Sequence, residues 1–523
     1  MQTELILKVP ADDVDRVRAQ LALAGAAPEA AAERHLADTY YDTPTRELWK
    51  RGLSLRVRAD GAGWLQTLET ADNARASLQR RGEWTCELPD GQPQPALLAS
   101  QVKPAALAEL LRSEDLAASL AAQFQGSIRR TTWRWSTPDG QEFECALDSG
   151  EIGGIGSGNS SANSGADGSA ETAAGGQHAA ISELRLILTQ GDPARLYQLA
   201  LDLHHAVPLQ VAGGGTAARG YALIERGQPA GHKAAPVRLR RKMTLEDAFL
   251  AIGVNCLQQM ESNVPGVLAR SPESLHQMRV GLRRLRALVG MFDALAPAPA
   301  ALREDLDWLA GELGAARDWD VLAGATLERI AGLDPAALRH AAEAKAEALH
   351  RQLAHTLRAP RFTAVLLRLR AWLHGRVWRP DGVLDKDAAL AAPARRAMRP
   401  LLRKAEKRLD KRIAGLDTAD AEARHRTRIA AKKARYAAEF FQDLLPARRV
   451  QPYIGRLAKL QDRLGTLNDY AVASRLLDEL KGSNAGVARQ AAYARGFLAA
   501  STAASSGRLD KALASVAGRR ISG

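Results

Sequence analysis

A basic sequence pattern occurs twice in this chain, about 150 residues apart, and such a repeat indicates a duplicated structural unit. Both copies fit H-x2-R-[VI]-x2-[RK]-[RK]-x-R. The first copy consists of His276, Arg279, Val280, Arg283, Arg284 and Arg286, and the second consists of His425, Arg428, Ile429, Lys432, Lys433 and Arg435. At nearly the same offset, each copy is followed by a second shared pattern, which reads Leu313-Gly314 with Arg317-Asp318 and then Leu464-Gly465 with Asn468-Asp469. We therefore expect two copies of one helical unit.

The first copy has the periodicity of an amphipathic helix. At about 100° per residue, its apolar residues fall on one face and four basic residues fall on a neighbouring face. The apolar face consists of Met278, Leu282, Leu285, Leu288, Val289 and Phe292, and the basic face consists of His276, Arg279, Arg283 and Arg286. In the second copy the basic face consists of His425, Arg428, Lys432 and Arg435, while Arg284 and Lys433 lie to the side. We predict that the two helices pack as pseudo-twofold mates and share one basic surface.

These basic faces suit a chain of phosphates. Arginine matches phosphate oxygens bidentately and lysine acts as a point charge, so a row along a helix can follow a repeating anion. A further basic helix is predicted over about 395–412, with Arg395, Arg396, Arg399, Arg403, Lys404, Lys407, Arg408, Lys411 and Arg412. The alternative is that these faces are merely solvated, which remains open for the third helix, whereas the matched spacing of the two copies favours binding.

Charge divides the chain into two parts near residue 230. Residues 231–523 carry 51 Lys and Arg against 30 Asp and Glu, whereas the first 230 residues carry 21 against 29. This asymmetry favours a domain boundary and gives the second part a polyanionic partner, such as polyphosphate, nucleic acid or an anionic membrane. Aromatic residues make up only 5% of the chain, which disfavours nucleic acid because base stacking usually needs them.

Neither cysteine usage nor the N-terminus points to secretion. Cys86, Cys145 and Cys256 are scattered, without the spacing of a zinc site or a disulfide framework, and they suit a reducing cytosol. The first residues contain an early acid and no sustained apolar run, so we expect neither a signal peptide nor a membrane span. The expected location is the cytoplasm.

The first 225 residues contain short segments with period-two alternation, typical of strands in a barrel or sandwich. The segments are TELILKV, LSLRVRA, WLQTLET, GEWTCEL, FECALDS and SELRLIL, with helices predicted at about 10–25 and 190–206. Residues 153–180 are rich in Gly, Ser and Ala and predict a disordered insertion, and residues 226–236 predict a linker. A barrel interior with both charge signs could bind phosphates through its bases and a divalent metal through its carboxylates; the alternative is that these charges face solvent on the outer side of the strands.

Residues 237–515 resemble the CHAD family, the conserved-histidine α-helical domain. The resemblance is carried by LHQMRVGLRRLRALVGMF, ELGAARDWDVL, RHRTRIAAKKARYAAEFF and LQDRLGTLNDYAVA. It implies an all-α domain of two pseudo-symmetric four-helix bundles that holds inorganic polyphosphate in a basic groove. The implied binding residues are His276, Arg279, Arg283, Arg284, Arg286, His425, Arg428, Lys432, Lys433 and Arg435.

Residues 1–225 resemble the CYTH family, or triphosphate tunnel metalloenzymes. The resemblance is carried by ELILK, DTYYDTPTRELWKRGLSLRVR, GAGWLQTLET, RRGEW, FECALDSGEI, ISELRLIL and TAARGYAL. It implies an eight-stranded antiparallel β tunnel, and hence a multi-domain α+β protein, with Mg²⁺- or Mn²⁺-dependent triphosphatase chemistry. The implied residues are Glu4, Lys8 and Glu183 for catalysis, Arg56, Arg58, Arg81 and Arg219 for phosphate, and Glu4, Glu83, Glu144, Asp148 and Glu183 for metal.

Several positions depart from the pattern of that family. Where it has acids, this chain has Ile6, Thr85, Arg185 and Ile187, and where it has lysines, this chain has Glu69 and Thr216. Fewer carboxylates weaken Mg²⁺ binding, and an arginine at 185 would compete with the metal for the remaining acids. We expect a tunnel that folds but turns over slowly or not at all.

The preferred hypothesis is therefore a polyphosphate-binding protein with a degenerate tunnel domain, for which polyphosphate granules are a candidate location. A second hypothesis is a Mg²⁺-dependent inorganic triphosphatase acting on tripolyphosphate, whose substrate the helical half delivers. A third is a nucleic-acid-binding protein.

Overall fold

A computed structural model describes residues 3–27, 31–60, 63–70, 78–79, 82–155, 178–212, 215–224, 231–332, 334, 336–376, 378, 384–418, 420–480, 485–504 and 506–522. The chain divides into two compact units. The first comprises Met1–Pro229 with Leu366–Ala371, and the second comprises Ala230–Val365 with Trp372–Gly523. Across these described ranges, no helix is both long enough and apolar enough to cross a membrane.

The first unit is built on an antiparallel sheet. Its strands are β1 Thr3–Lys8, β2 Ala32–Asp42, β3 Leu53–Asp60, β4 Gly63–Thr70, β5 Leu78–Gln79, β6 Glu83–Leu88, β7 Ala121–Ser136, β8 Glu142–Gly154, β9 His178–Gln190 and β10 Gln210–Val211. Six helices accompany them: α1 Val14–Leu23, α2 Glu47–Lys50, α3 Ala105–Leu111, α4 Glu114–Ser119, α5 Pro193–Ala206 and α6 Thr216–Ile224.

The strand order is β10-β1-β9-β8-β7-β2-β3-β4-β6, with β5 paired to β1 outside this path. The path thus contains nine strands rather than the expected eight. In the part of the sheet that the structure describes, eight strands have six or more residues, while β5 and β10 have two each. Because β5 lies between β4 and β6 in sequence, its pairing with β1 links the far end of the path back towards its start. Antiparallel pairing throughout confirms the predicted sheet class.

Helix α6 packs against the sheet through an aromatic cluster. Tyr221 contacts the rings of Trp49 and Phe124, and its hydroxyl donates to the buried carboxylate of Asp42. A side chain at Gly220 would lie 2.0 Å from the ring of Phe124, so only glycine allows this close approach. The cluster fixes the start of α6 beside the interior of the sheet.

The second unit is helical. Its helices are α7 Leu245–Glu261, α8 Val264–Leu268, α9 Pro272–Phe292, α10 Ala300–Val321, α11 Ala336–Arg358, α12 Pro360–His374, α13 Leu384–Ala391, α14 Ala394–Ala414, α15 Ala421–Phe440, α16 Ala447–Glu479, α17 Ala485–Ala503 and α18 Ser506–Val516. One turn of π-helix, Leu322–Thr326, directly follows α10.

Two sets of four helices repeat the same arrangement, as the duplicated motif predicts. In the first set α9 contacts α7 and α10, and α10 contacts α11; in the second set α15 contacts α14 and α16, and α16 contacts α17. Each helix also contacts its counterpart across the pair of sets: α7 with α14, α9 with α15, α10 with α16, and α11 with α17. This is the pattern of two four-helix bundles related by a pseudo-twofold axis.

The apolar face predicted for the first repeat helix forms core. Met278, Leu285, Leu288 and Phe292 of α9 are fully buried, and Leu282 is 2% exposed. The predicted helices at 10–25, 190–206 and 395–412 correspond to α1, α5 and α14. The predicted insertion at 153–180 was too wide at both ends, since β8 continues to Gly154 and β9 begins at His178, and residues 156–177 lie outside the described residues.

Candidate functional site

The basic faces of the two repeat helices meet. Helix α9 contacts α15, and Arg279 and Arg283 of α9 lie close enough to act electrostatically on Arg428 and Lys432 of α15. The Arg284 guanidinium lies 5.7 Å from the ring centroid of Phe440, which ties the two helices together beside this face. We call the group His276, Arg279, Arg283, Arg428 and Lys432 the basic groove.

The charges of the basic groove are only partly neutralised by the protein. Neither Arg283 nor Lys432 makes a hydrogen bond or an ion pair within the described part of the chain. The Nε atoms of Arg283 and Arg428 are buried without a hydrogen-bond partner there. Burial together with Arg428, Arg283 and Arg279 lowers the pKa of Lys432 to about 6, against the opposing effect of Asp469. A buried lysine among arginines is unfavourable for the free protein, and an anion would relieve it.

The second shared pattern of the repeat, which contains Asp318 and Asp469, supplies the acids beside the groove. Arg279 donates from Nη1 to the carbonyl of Gly314 at 3.1 Å and to Oδ1 of Asp318 at 3.2 Å. Asp469 occupies the corresponding place in the repeat and raises the pKa values of Arg428 and Lys432, which burial and neighbouring arginines lower. The second shared pattern therefore positions Arg279 and offsets only part of the positive charge of the groove.

The two histidines of the motif have different surroundings. Burial, Arg317 and Arg283 lower the pKa of His276, so the ring is biased towards its neutral form. His425 is exposed, and its Nδ1 lies 3.1 Å from Oδ1 of Asn468, at the mouth of a cavity of about 310 Å³. The predicted binding set did not include Arg317. Its position next to Asp318 in the second shared pattern could have indicated that it lies near the groove.

The remaining basic residues of the two motifs have other partners. Arg284 donates to Oε1 of Gln259 and to Oδ1 of Asn255, both at 2.8 Å, so it joins α9 to α7. Arg286 pairs with Asp307 and Arg435 pairs with Glu439. Lys433 lies near Arg408 of α14 and Arg286, which with burial lower its pKa. These four residues therefore surround the basic groove without belonging to its unneutralised centre.

In the first unit, Arg185 occupies the space between the carboxylates implied for metal binding. Its Nε lies 2.9 Å from Oδ2 of Asp148, its Nη1 lies 3.0 Å from Oε1 of Glu4, and its Nη2 lies 3.8 Å from Oε2 of Glu183. Nη2 also donates to Oγ1 of Thr216 at 3.4 Å. Burial disfavours its charge, yet the three carboxylates hold its pKa above the ordinary value.

Other arginines neutralise the rest of the tunnel interior. Arg130 makes a bidentate pair with Asp148 at 2.7 and 2.6 Å, and Arg58 makes one with Asp38 at 2.6 and 2.8 Å. Arg219 lies 2.6 Å from Glu183. The sequence did not predict roles for Asp38 and Arg130. Each lies directly opposite its partner on the neighbouring strand, and this is visible only once the pairing register of the strands is known. The interior is thus a network of internal ion pairs.

The other implied tunnel residues lie further from Arg185. Glu144 pairs with the exposed Arg134 near the start of β8, about 13 Å along the strand from Asp148. Glu83 and Glu69 both contact Arg56, at 3.5 and 3.3 Å. Lys8 is exposed, while Ile6 is fully buried. Arg81 lies outside the described residues.

These residues do not fit a divalent metal. Within the described ranges, no group of three or more His, Cys, Asp or Glu side chains could hold a metal ion. The cavity between Asp38, Arg56, Arg130 and Arg185 has a volume of about 50 Å³, which is space for a few water molecules. The carboxylates that a hard cation would need already accept from arginines.

Both units match known families. A model of the CYTH domain matches residues 2–221, and a model of the CHAD domain matches residues 251–478. The crystal structure of the CHAD domain from the plant Ricinus communis is 39% identical, covers 56% of this chain and 98% of its own, and superposes with a TM-score of 0.51.

Two further structures are more distant. A putative adenylyl cyclase from Hippeastrum, described as having a dominant triphosphatase activity, is 12% identical over 42% of this chain and 96% of its own, with a TM-score of 0.29. PptA from Streptomyces chartreusis is 19% identical over 52% of this chain and 98% of its own, with a TM-score of 0.39.

Proposed function

We propose, for a chain that belongs to the CHAD family and carries a CYTH domain before its CHAD domain, that it binds inorganic polyphosphate in the basic groove between α9 and α15. The observation that carries the proposal is the unneutralised charge of Arg283, Arg428 and Lys432. In the sheet unit, the half-buried Arg58 and Arg130 and the buried Arg185 have carboxylate partners. A group kept without counter-charge at a cost in stability is typical of a ligand site.

The chemistry of the groove matches a phosphate chain. The guanidinium groups of Arg279, Arg283 and Arg428 can each face two phosphate oxygens, and Lys432 adds a compact donor. A polyanion brought to this site would favour the protonated form of Lys432. Binding of this kind is largely electrostatic, so it weakens steeply as salt rises. This ligand would place the chain in the cytoplasm and on polyphosphate granules where the polymer accumulates.

We propose that the tunnel does not hydrolyse triphosphate. Arg185 pairs with the acids that the family resemblance assigns to metal, so these acids already have a positive partner that a metal would have to displace. Arg56, Arg58 and Arg219 are already neutralised by Asp38, Glu69, Glu83 and Glu183. The triphosphatase alternative requires these ion pairs to open, and phosphate release from tripolyphosphate with Mg²⁺ or Mn²⁺ tests it.

The binding proposal is tested with charge variants of the groove. We expect the double variant Arg283→Gln, Lys432→Gln to bind long-chain polyphosphate at least about tenfold more weakly than the wild type, because each charge-assisted contact contributes about 1.5–3 kcal/mol. Binding of fluorescently labelled polyphosphate, measured by anisotropy at several salt concentrations, gives the affinities.

The matched control is the double variant Lys345→Gln, Arg489→Gln, which removes the same charge from exposed positions on α11 and α17. The control should bind as the wild type does. Equal affinity of the groove variant and the wild type would refute the proposal. Tighter binding of RNA than of polyphosphate at equal charge would favour the nucleic-acid alternative instead.

A further inference from the structure

A second basic cluster lies where helices α14 and α16 begin. Arg395 and Arg399 of α14 and Arg448 and Arg449 of α16 line a cavity of about 240 Å³, with Met398 and Leu444 among its apolar residues. All four arginines are exposed. The cavity is separate in sequence and in lining residues from the basic groove.

The described part of the chain provides no counter-charge for this cluster. None of the four arginines makes a hydrogen bond or an ion pair with a described residue. The acids of α14, Glu406 and Asp410, are occupied elsewhere: Glu406 accepts from the backbone N–H groups of Ile521 and Ser522, and Asp410 pairs with Arg520. The nearest acid in sequence, Asp443, accepts from the backbone N–H of Leu239.

The two helix starts add to the positive potential. Helices α14 and α16 each begin after a proline without a capping side chain, and neither has an acid in its first turn. Their first N–H groups and positive dipole ends therefore lie near arginines, where a helix normally favours an acid. This arrangement is unfavourable for the free protein and favourable for a bound oxyanion.

A winding row of exposed cations follows α14 from this cavity towards the side of the basic groove, with Arg408 about 140° around the helix from Arg395. Arg403, Lys404, Lys407 and Arg408 are exposed and have no ion pair within the described residues. Arg408 lies close enough to Lys433 to lower its pKa, and Lys433 lies in turn near Arg286 of α9. The row spans about 20 Å along the helix between Arg395 and Arg408.

We infer that the cavity formed by Arg395, Arg399, Arg448 and Arg449 is a second phosphate-binding site, which takes a distant segment of the same polyphosphate chain that occupies the basic groove. This inference rests on the proposed function and deepens it, because it makes chain length the basis of substrate selection. A long chain that occupies both sites gains affinity by effective concentration, whereas a short chain occupies one site at a time.

The test compares short and long chains on the full-length protein. The variant Arg395→Gln, Arg399→Gln, Arg448→Gln, Arg449→Gln should bind long-chain polyphosphate at least about tenfold more weakly, in line with the loss of a second linked site. Its affinity for tripolyphosphate should stay within about twofold of the wild type if the groove is the main site for short chains. Isothermal titration calorimetry gives both affinities, and circular dichroism confirms that these exposed substitutions preserve folding.

The matched control removes four charges elsewhere through Lys345→Gln, Arg351→Gln, Arg489→Gln and Arg508→Gln, all exposed. An equal loss of long-chain affinity in this control would show that the affinity depends on net charge and not on the cavity, and it would overturn the inference. Unchanged long-chain affinity in the cavity variant would also overturn it. A cavity variant that loses RNA binding but keeps polyphosphate binding would assign the cavity to nucleic acid.

Failure of the proposed function gives a different pattern. In that case the groove variant Arg283→Gln, Lys432→Gln keeps wild-type affinity for both chain lengths, or the wild type binds neither. If instead the groove variant loses both and the cavity variant loses neither, the proposed function stands and only the second site is refuted.

Discussion

At the scale of single residues, Arg185 shows how one substitution changes the chemistry of a site. Asp148 and Glu183 are directly opposite across strands β8 and β9, where two like charges destabilise a sheet. Arg185 contacts both and also reaches Glu4 on β1. A side-chain cation thus provides the positive charge between these acids, and it is tethered to the fold.

We expect Arg185→Met to destabilise the first unit by about 3 kcal/mol at neutral pH, because it removes the partner that three buried carboxylates share and leaves Asp148 and Glu183 with one arginine each. The loss should shrink as pH falls, because, against the opposing effect of burial, Arg130 and Arg185 hold the pKa of Asp148 below its usual value, and the stability contributed by these pairs is lost when Asp148 is protonated. Urea denaturation followed by circular dichroism measures it. The control Arg195→Met removes an exposed partner of Asp139 and should cost far less, because solvent screens this pair. A loss at Arg185 as small as in this control would show that the ion pairs contribute little.

At the scale of elements, the repeat helices explain how much the sequence could predict. The spacing of apolar residues predicted the buried face of α9 correctly, because helical periodicity depends on local sequence alone. The meeting of α9 and α15 followed from the equal offsets of two motifs. The roles of Arg284 and Arg435 did not follow, because their partners Asn255 and Glu439 compete with the groove for the same guanidinium groups.

The sheet was harder to predict than the helices. Strands β2 and β7 were not predicted, although β7 has 16 residues, because the buried positions of β7 include Gly126 and Thr131 and its alternation shifts by one residue after Ile128. Without β2 and β7 the register was unknown, so the pairs Asp38 with Arg58 and Arg130 with Asp148 could not be foreseen. The competition of Arg185 for the acids was predicted from the resemblance to the CYTH family, whose pattern has an acid at that position.

The helix pair also predicts a pH dependence of binding. Polyphosphate should raise the pKa of Lys432 from about 6, because the anion offsets the burial and the repulsion from Arg428, Arg283 and Arg279. Between pH 6 and the pKa of the complex, binding then takes up a proton, so affinity falls as pH rises. At pH 7.5 we expect uptake of up to one proton, measured calorimetrically in buffers of different ionisation enthalpy.

Lys432→Arg is the matched control, since arginine keeps its charge at these pH values. It should bind at pH 8 at least as tightly as the wild type and with a flatter pH profile. His276, whose pKa burial and Arg317 lower, contributes uptake only at more acidic pH. Absence of proton uptake by the wild type at pH 7.5 would contradict the assignment of Lys432 to the site.

At the scale of the whole molecule, the two units treat charge in opposite ways. The sheet unit pairs its interior arginines with buried acids, whereas the helical unit leaves Arg283 and Lys432 of its groove without an ion pair within the described residues. A unit whose interior charges are paired gains little electrostatic energy from binding an anion. A unit with unpaired positive charges gains much more. Binding capacity is therefore expected in the helical half, with no requirement for a divalent cation in either half.

This expectation predicts that divalent cations leave the free protein unchanged. A metal site filled at about 100 times its Kd would stabilise the folded state by about 2.7 kcal/mol, which is readily detected as a shift in Tm. We expect Mg²⁺, Mn²⁺ and EDTA to give the same Tm in differential scanning fluorimetry without polyphosphate, since the polymer itself binds these cations. The variant Arg185→Glu, which replaces the competing cation by a carboxylate beside Glu4, Asp148 and Glu183, should gain stabilisation by Mn²⁺. A rise of the wild-type Tm in Mn²⁺ that disappears in Glu4→Gln would show instead that a metal displaces Arg185. That result would support the hypothesis of a metal-dependent triphosphatase.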